Sequence, residues 1–125
     1  MRNRHAGRSA MKQRQVGNVA ILSPKGYLTG GDETEELEQT IKNLGESGNK
    51  HLIINLAETQ HLNSTALGVL ISAHSNYVRR GGQMKLCSVD KRIENIFVIT
   101  KLSLVFDVYP SEEQALASFA ERESV

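Results

Sequence analysis

Apolar residues along this chain fall into short continuous runs, separated by longer stretches in which they recur every three or four positions. The run HLIINL, residues 51–56, lacks the alternation of a half-exposed strand, which indicates a strand buried on both faces. Further apolar runs predict strands at residues 16–24, 83–89 and 105–109. The segment KGYLT, residues 25–29, predicts a strand that pairs with the first one as a hairpin.

Four stretches between and after these strands have the apolar spacing of helices that pack on a sheet. The first begins at Asp32, which we expect to be its N-cap, and ends at a segment that contains two glycines. The second begins after the buried strand, with Asn63 or Ser64 at its N-cap. Asp90 and Ser111 are the expected N-caps of the last two helices, because their side-chain oxygens accept hydrogen bonds from the free N–H groups of a first turn.

Strands that alternate with helices predict an α/β fold, in which right-handed crossovers join parallel strands. The predicted hairpin adds one antiparallel strand at an edge, so we expect one domain with a mixed sheet of about five strands and about four helices. Residues 1–13 are polar and basic with almost nothing to bury, and we expect a flexible arm there. The domain would then occupy residues 14–125.

The totals of the chain exclude several classes of protein. A net charge of +1 does not indicate nucleic acid as a direct partner. No apolar run approaches the roughly 18 residues of a membrane span, so we expect no membrane partner. The single cysteine, Cys87, excludes an internal disulfide and fits a reducing cytoplasm. We expect Cys87 to be a small buried hydrophobe within its strand.

The motifs of nucleotide, metal and nucleophile chemistry are missing from the sequence. Neither GxGxxG nor GxxxxGK followed by Ser or Thr occurs, and the four histidines never form HxxxH or HExxH, so we expect no cofactor and no metal. GxSxG is missing around Ser64, and nothing orients His61 or His74 as a base, so we expect no enzyme activity. His74 should be partly buried and bonded to a neighbour.

The start of the second helix, HLNSTALGVL, carries the strongest functional signal. A capping role for Asn63 or Ser64, worth about 1 kcal/mol, accounts for polar residues at this place. A glycine inside a helix costs about 1 kcal/mol relative to alanine, so we expect Gly68 to allow close approach by a neighbouring element. A phosphate on the first turn would place a charge of about −2 beside the positive end of the helix and would repel a docked partner.

The segment LNSTALGVLISAH and the buried strand before it resemble the STAS domain of bacterial anti-sigma-factor antagonists, over residues 16–119. That family carries a segment D-S-S/T-G-L-G-V-L, whose first hydroxyl is phosphorylated by a partner that is both kinase and anti-sigma factor. By position, the resemblance assigns that hydroxyl to Ser64. Asn63 stands in place of the aspartate, and Ala66 in place of the first glycine.

The resemblance implies a cytoplasmic regulatory binding protein, an anti-anti-sigma factor without catalysis of its own. Its unphosphorylated form would bind the anti-sigma factor and release the sigma factor, and its phosphorylated form would dissociate. ATP would bind the partner. The partner surface would comprise Asn63, Ser64, Thr65, Gly68, Thr29 and Asp32.

Two further expectations concern other assemblies. The same domain also serves as a non-phosphorylated structural subunit of sensory complexes or lipid-transport ABC systems. The neutral residues Asn63 and Thr29, where the family carries acids, favour that alternative. The sequence also leaves a homodimer open, because Val98 and Ile99 fall off the buried stripe of the third helix. These two apolar residues could form an interface between copies, or the neighbouring strand could cover them.

Overall fold

The computed structural model describes residues 11–123, with side chains through residue 120. Within that range the chain forms the expected α/β fold. Its strands are β1 (Lys12–Val16), β2 (Val19–Ser23), β3 (Gly26–Leu28), β4 (His51–Asn55), β5 (Thr59–Leu62), β6 (Gln83–Cys87) and β7 (Asp107–Tyr109). Its helices are α1 (Asp32–Glu46), α2 (Ser64–Arg79), α3 (Lys91–Ile99) and α4 (Glu112–Glu123), with a 3-10 turn at Leu102–Leu104.

Five of the strands form one sheet in the order β1-β2-β4-β6-β7. β1 runs antiparallel to β2 and the other neighbours are parallel, which confirms a mixed sheet with one antiparallel edge strand. β4 lies in the centre, where Leu52, Ile53 and Ile54 are fully buried. The continuous apolar run of β4 therefore reflects a strand that is covered on both faces.

Alternate residues of the central strands face two separate cores. The larger core joins Leu52 and Ile54 to the apolar sides of α1, α2 and α3. The smaller core joins Ile53 and Cys87 to α4, where Phe119 covers them. The predicted burial of Cys87 is confirmed.

The N-terminal hairpin differs from the expectation. β2 pairs with β1 across a turn at Gly17 and Asn18, and the predicted pairing of KGYLT with the first strand is wrong. All five side chains of β1 are exposed, so this edge strand has no apolar pattern that would identify it in the sequence. Lys12 and Gln13 of the expected arm belong to β1, and the arm up to residue 10 lies outside the described residues.

β3 instead forms a separate two-stranded parallel sheet with β5, a strand that the sequence pattern did not predict. Thr59 and Leu62 of β5 are buried, whereas Gln60 and His61 between them are exposed, so β5 lacks the alternation of a strand. Leu28 pairs with Leu62 in register, and both are buried. This small sheet brings the loop after β3 to the start of α2.

Candidate functional site

The candidate site lies where β3 and β5 end side by side. Because these strands are parallel and Leu28 pairs with Leu62, the residues that follow them leave the small sheet at the same edge. The Asn63 N–H donates to the Leu28 carbonyl oxygen at 3.1 Å, which extends the pairing by one residue. The loop at Thr29 and the first turn of α2 are therefore neighbours.

Asn63 joins these two segments with both atoms of its amide. Its Oδ1 accepts a hydrogen bond from the Ala66 N–H at 3.0 Å, so Asn63 is the N-cap of α2. Its Nδ2 donates to the Thr29 carbonyl oxygen at 2.9 Å. An ionised aspartate could form the cap but could not donate to Thr29, because a carboxylate has only acceptors. The amide therefore holds the loop and the helix together in a way that the family's aspartate could not.

Thr34 holds the same loop at Gly30, and the side chain of Thr65 lies beside that glycine. Gly30 has a φ of +97°, and a Cβ built on it would lie 3.4 Å from the Cγ2 of Thr65. The Gly30 N–H donates to the Thr34 Oγ1 at 2.9 Å, which ties the loop to the first turn of α1. The structure thus brings Thr29 together with Asn63 and Thr65, three residues of the predicted partner surface.

Asp32 was the expected N-cap of α1 and is instead its first helical residue. Gly31 occupies the N-cap in an extended conformation, without a side-chain hydrogen bond to the first turn. Asp32, Glu33 and Glu35 make that first turn acidic, as the helix dipole favours. The loop that Asn63 bonds at Thr29 therefore leads into a negatively charged helix start.

Ser64 is the first residue of α2, and its side chain is exposed. Among residues 11–120, no side chain hydrogen-bonds its hydroxyl, so neither His61 nor His74 is placed as a base for it. The first turn of α2 contains no acidic residue. The positive end of the helix dipole therefore faces solvent beside Ser64, without a negative charge from its own turn.

Gly68 lies on the exposed side of α2, one turn after Ser64. A Cβ built on Gly68 would meet no described atom within 4 Å. The expected close approach by another element of the chain is therefore wrong, because open space adjoins this part of the helix. Ile71, three residues further along the helix, is 39% exposed. Gly68 thus leaves a gap in an exposed helix surface, which a separate molecule could fill.

Two aromatic residues of the small sheet lie beside the predicted partner surface and were not predicted to belong to it. Tyr27 on β3 is 62% exposed, and its ring centroid lies 6.1 Å from that of the exposed His61 on β5. Both precede the buried Leu28 and Leu62 by one residue, so they point away from the core. Their proximity depends on the pairing of β3 with β5, and recognition of β5 as a strand would have revealed it.

His74 is half-buried, but the hydrogen bond expected for it is not formed at its Nδ1 within the described part of the chain. The ring packs edge-on against Phe106 at a centroid distance of 5.8 Å, because the segment that covers this part of α2 is apolar. Burial raises the pKa of the Cys87 thiol, which disfavours the reactive thiolate. No group of three metal-ligating side chains occurs within residues 11–120. None of the described helices is both long and apolar enough to cross a membrane.

Anti-sigma factor antagonists are among the proteins that resemble this chain in sequence. The chain is 25% identical over 67 residues to the anti-sigma F factor antagonist of Paenibacillus polymyxa, a match that covers 54% of this chain and 57% of that protein. It is 24% identical over 105 residues to BtrV of Bordetella bronchiseptica, a candidate anti-sigma factor antagonist, with 84% of this chain and 90% of that protein covered.

Solved structures share the fold. A candidate anti-sigma factor antagonist of Thermotoga maritima has a TM-score of 0.81 at 19% identity, over 88% of this chain and 94% of that one. The phosphorylated form of the Bacillus cell fate determinant SpoIIAA has a TM-score of 0.72 at 16% identity, with 88% and 99% covered. The STAS domain of a SulP transporter from Vibrio cholerae has a TM-score of 0.71 at 19% identity, with 90% and 89% covered.

The family profile of the STAS domain matches residues 10–115. The matched range includes the whole main sheet, the small sheet of β3 and β5, and the turn at Ser64. On this match and the shared fold, the chain belongs to the STAS domain family.

Proposed function

We propose that this chain is a cytoplasmic anti-sigma-factor antagonist that binds an anti-sigma factor with serine-kinase activity. Phosphorylation of Ser64 by that partner would end the binding and so control transcription that depends on the sigma factor. The chain would need no cofactor, because ATP would bind the partner. The observation that carries the proposal is the exposed Ser64 hydroxyl at the positive end of α2, whose first turn contains no acidic residue.

The relatives support this proposal. The Paenibacillus polymyxa protein is named as an anti-sigma F factor antagonist, and it aligns with this chain over 67 residues. SpoIIAA has been solved in a phosphorylated form, and its backbone resembles that of this chain. A fold of this kind is therefore compatible with a phosphoryl group in that protein.

The electrostatics of α2 explain how a phosphate on Ser64 could act as a switch. Negative charge near a helix N-terminus is favourable by about 0.3–1 kcal/mol at an exposed site, so the folded chain would tolerate the phosphate. A partner docked over the same turn would bury a charge of about −2 with no matching cation, which costs several kcal/mol. The phosphate would therefore weaken binding and leave the fold intact.

The proposed partner surface combines residues from both loops and from the small sheet. Asn63 would act mainly by positioning, because its amide is engaged within the chain. Gly68 would admit a side chain or backbone of the partner into the gap on α2. The surface comprises Asn63, Ser64, Thr65, Gly68, Thr29 and Asp32, with the aromatic pair Tyr27 and His61 beside them.

The test is to incubate the full chain with its cognate anti-sigma kinase, ATP and magnesium, and to locate phosphate by peptide mass spectrometry. We expect one phosphate on Ser64, its loss in Ser64→Ala, and its retention in the matched control Thr65→Ala. Binding should be measured by calorimetry for the unmodified chain and for Ser64→Asp. Ser64→Asp should bind at least about 100-fold more weakly, as expected for an unpaired charge in an interface, without a loss of stability.

The outcomes separate the switch from the binding. Phosphate on Thr65 or nowhere, with equal binding by the wild type and Ser64→Asp, would refute the switch and leave a binding module. Failure of the unmodified chain to bind any anti-sigma factor would refute the proposal as a whole.

A second function is favoured by one observation. Asn63 is neutral and structurally engaged, so the turn at Ser64 could serve as a fixed docking site without phosphorylation. The STAS domain of the Vibrio cholerae SulP transporter resembles this chain in fold. A structural subunit of a sensory complex or a lipid-transport ABC system is the alternative. A gene for a histidine-kinase-like ATPase beside this one favours the first function, and transporter genes favour the second.

A further inference from the structure

A lysine is buried under α4, on the face of the main sheet opposite α2. Lys85 of β6 is 1% exposed, and its ammonium lies beside Phe119 of the smaller core. Among residues 11–120, no carboxylate forms an ion pair with it. Asp107, which pairs with Lys85 in register on β7, is exposed. A positive charge is therefore held away from water without an opposite charge to neutralise it.

The partners of this ammonium are hydroxyl groups and aromatic rings. Its Nζ donates to the Ser118 Oγ at 2.6 Å, and the Tyr109 hydroxyl lies at 3.5 Å. The ring centroids of Phe119 and Tyr109 lie 4.3 and 5.3 Å from the same atom. These contacts offset only part of the free energy that an ammonium loses with its hydration. Because Ser118 and Phe119 belong to α4, that loss arises when α4 docks on the sheet.

The other attachments of α4 are few. Of its side chains up to residue 120, only Ala115 and Phe119 are buried. They belong to a core of six buried residues, whereas the larger core on the other face has eighteen. Glu112 joins the first turn to the sheet, through Asn55 and Arg14 at 2.9 Å each. The Arg14 side chain is 52% exposed, so that ion pair contributes little to docking.

Cys87 lies in the smaller core beneath α4 and is the only cysteine of the chain. A reagent in solution can reach its thiol when α4 leaves the sheet or when the whole chain unfolds. The reaction of Cys87 therefore reports the opening of this core.

We propose that α4 detaches from the sheet while the rest of the fold stays intact, and that the buried charge of Lys85 promotes this opening. Detachment returns the ammonium to water and restores the hydration that docking removes. It exposes Val19, Ile21 and Ile53 on the face of the sheet opposite α2. The opening is therefore separate from the proposed switch at Ser64, and its test needs no partner.

The test is the rate at which Cys87 of the native full chain reacts with DTNB, a disulfide reagent, at neutral pH. At low reagent concentration this rate follows the small population of the open form. Lys85→Met keeps the length of the side chain and removes its charge. It should slow the reaction at least about tenfold, because an apolar side chain at a buried charged position favours the docked helix. Ser118→Ala should speed the reaction about fivefold in the wild type and have no effect in Lys85→Met.

Ile53→Val and Ile54→Val are a matched pair that separates this opening from global unfolding. The two isoleucines are adjacent on β4 and fully buried, but Ile53 belongs to the smaller core and Ile54 to the larger one. Both substitutions should destabilise the whole fold by similar amounts. If α4 opens alone, Ile53→Val speeds the reaction of Cys87 by about fivefold and Ile54→Val leaves it unchanged.

Circular dichroism and urea unfolding should show that the variants fold, and Lys85→Leu replaces Lys85→Met if that variant does not. Equal acceleration by Ile53→Val and Ile54→Val would mean that the thiol reacts through global unfolding, and would overturn the opening of α4. A faster reaction in Lys85→Met than in the wild type would overturn the role of Lys85, because its contacts would then hold the helix in place.

Discussion

The first turns of α2 and α3 share one geometry and differ in charge. Asn63 caps α2 by accepting the Ala66 N–H at 3.0 Å, and Asp90 caps α3 by accepting the Ile93 N–H at 2.9 Å. That backbone hydrogen bond is the main reason why the pKa of Asp90 is lowered from its ordinary value. Asn63 forms the same contact without a charge.

The difference lies in what each cap does besides capping. Asp90 brings a negative charge to the positive end of α3, and Glu94 adds another in the same turn. Asn63 uses its second amide atom to hold the Thr29 carbonyl oxygen, and the first turn of α2 contains no acid. A neutral cap therefore joins two loops and adds no negative charge to the helix end, which favours a phosphate on the next residue.

The largest expected effect comes from removing the amide at 63. Asn63→Ala should lower the free energy of unfolding by about 2 kcal/mol, because about 1 kcal/mol is lost with the cap and a similar amount with the bond to Thr29. Urea unfolding at neutral pH measures the change, with Thr65→Ala as a control in the same turn. If Asn63→Ala loses no more stability than Asp90→Ala, the result would contradict the role of Asn63 as both a cap and a bond to Thr29.

A smaller effect, with a dependence on pH, is expected at Asp90. Asp90→Ala should cost about 1 kcal/mol at neutral pH. Since the folded pKa is lowered, the charged cap stabilises the fold above the ordinary aspartate pKa of about 4, and this contribution is lost as the pH falls through the folded value. The difference in the free energy of unfolding between wild type and Asp90→Ala should therefore become smaller in acid. The corresponding difference for Asn63→Ala should stay constant over the same pH range, because the asparagine side chain does not titrate.

The smallest effect is expected when Asn63 is replaced by aspartate, the residue type that caps α3. Asn63→Asp keeps the cap and gains a favourable dipole interaction, but it loses the donor to Thr29, so the net change should be within about 0.5 kcal/mol. Thermal unfolding of Asn63→Asp, compared with that of Asp90→Asn, measures the change in stability when the two capping residue types are exchanged. A stabilisation above about 1 kcal/mol would mean that the bond to Thr29 contributes little.

The parts of the fold that were predictable are those with a local signal. The apolar run at β4, the helical spacing of α2, and the capping oxygens of Asn63 and Asp90 each depend on residues close in sequence. The N-caps of α1 and α3 differ in this respect. Asp32 has the same residue type as Asp90, but the chain places Gly31 at the N-cap and Thr34 bonds the Gly30 N–H.

The parts that were not predictable depend on pairing between distant residues. β1 has no buried side chain and β5 has no alternation, so neither strand has a pattern of its own. The contact of Tyr27 with His61 and the bond from Asn63 to Thr29 follow from the pairing of β3 with β5. The candidate site could thus be located from its motif, but the way its two loops are joined required the structure.

The burial of Cys87 has a practical consequence for experiments on this surface. Cys87 is the only cysteine of the chain, it is fully buried, and burial raises the pKa of its thiol. A maleimide dye would therefore react at neutral pH with a cysteine placed by substitution on the surface and spare the native one. Ser75→Cys offers such a place, because Ser75 is exposed on the side of α2 that carries Ser64 and lies outside the proposed partner surface. A fluorophore there would report the arrival and departure of a partner on α2 without a cysteine-free background.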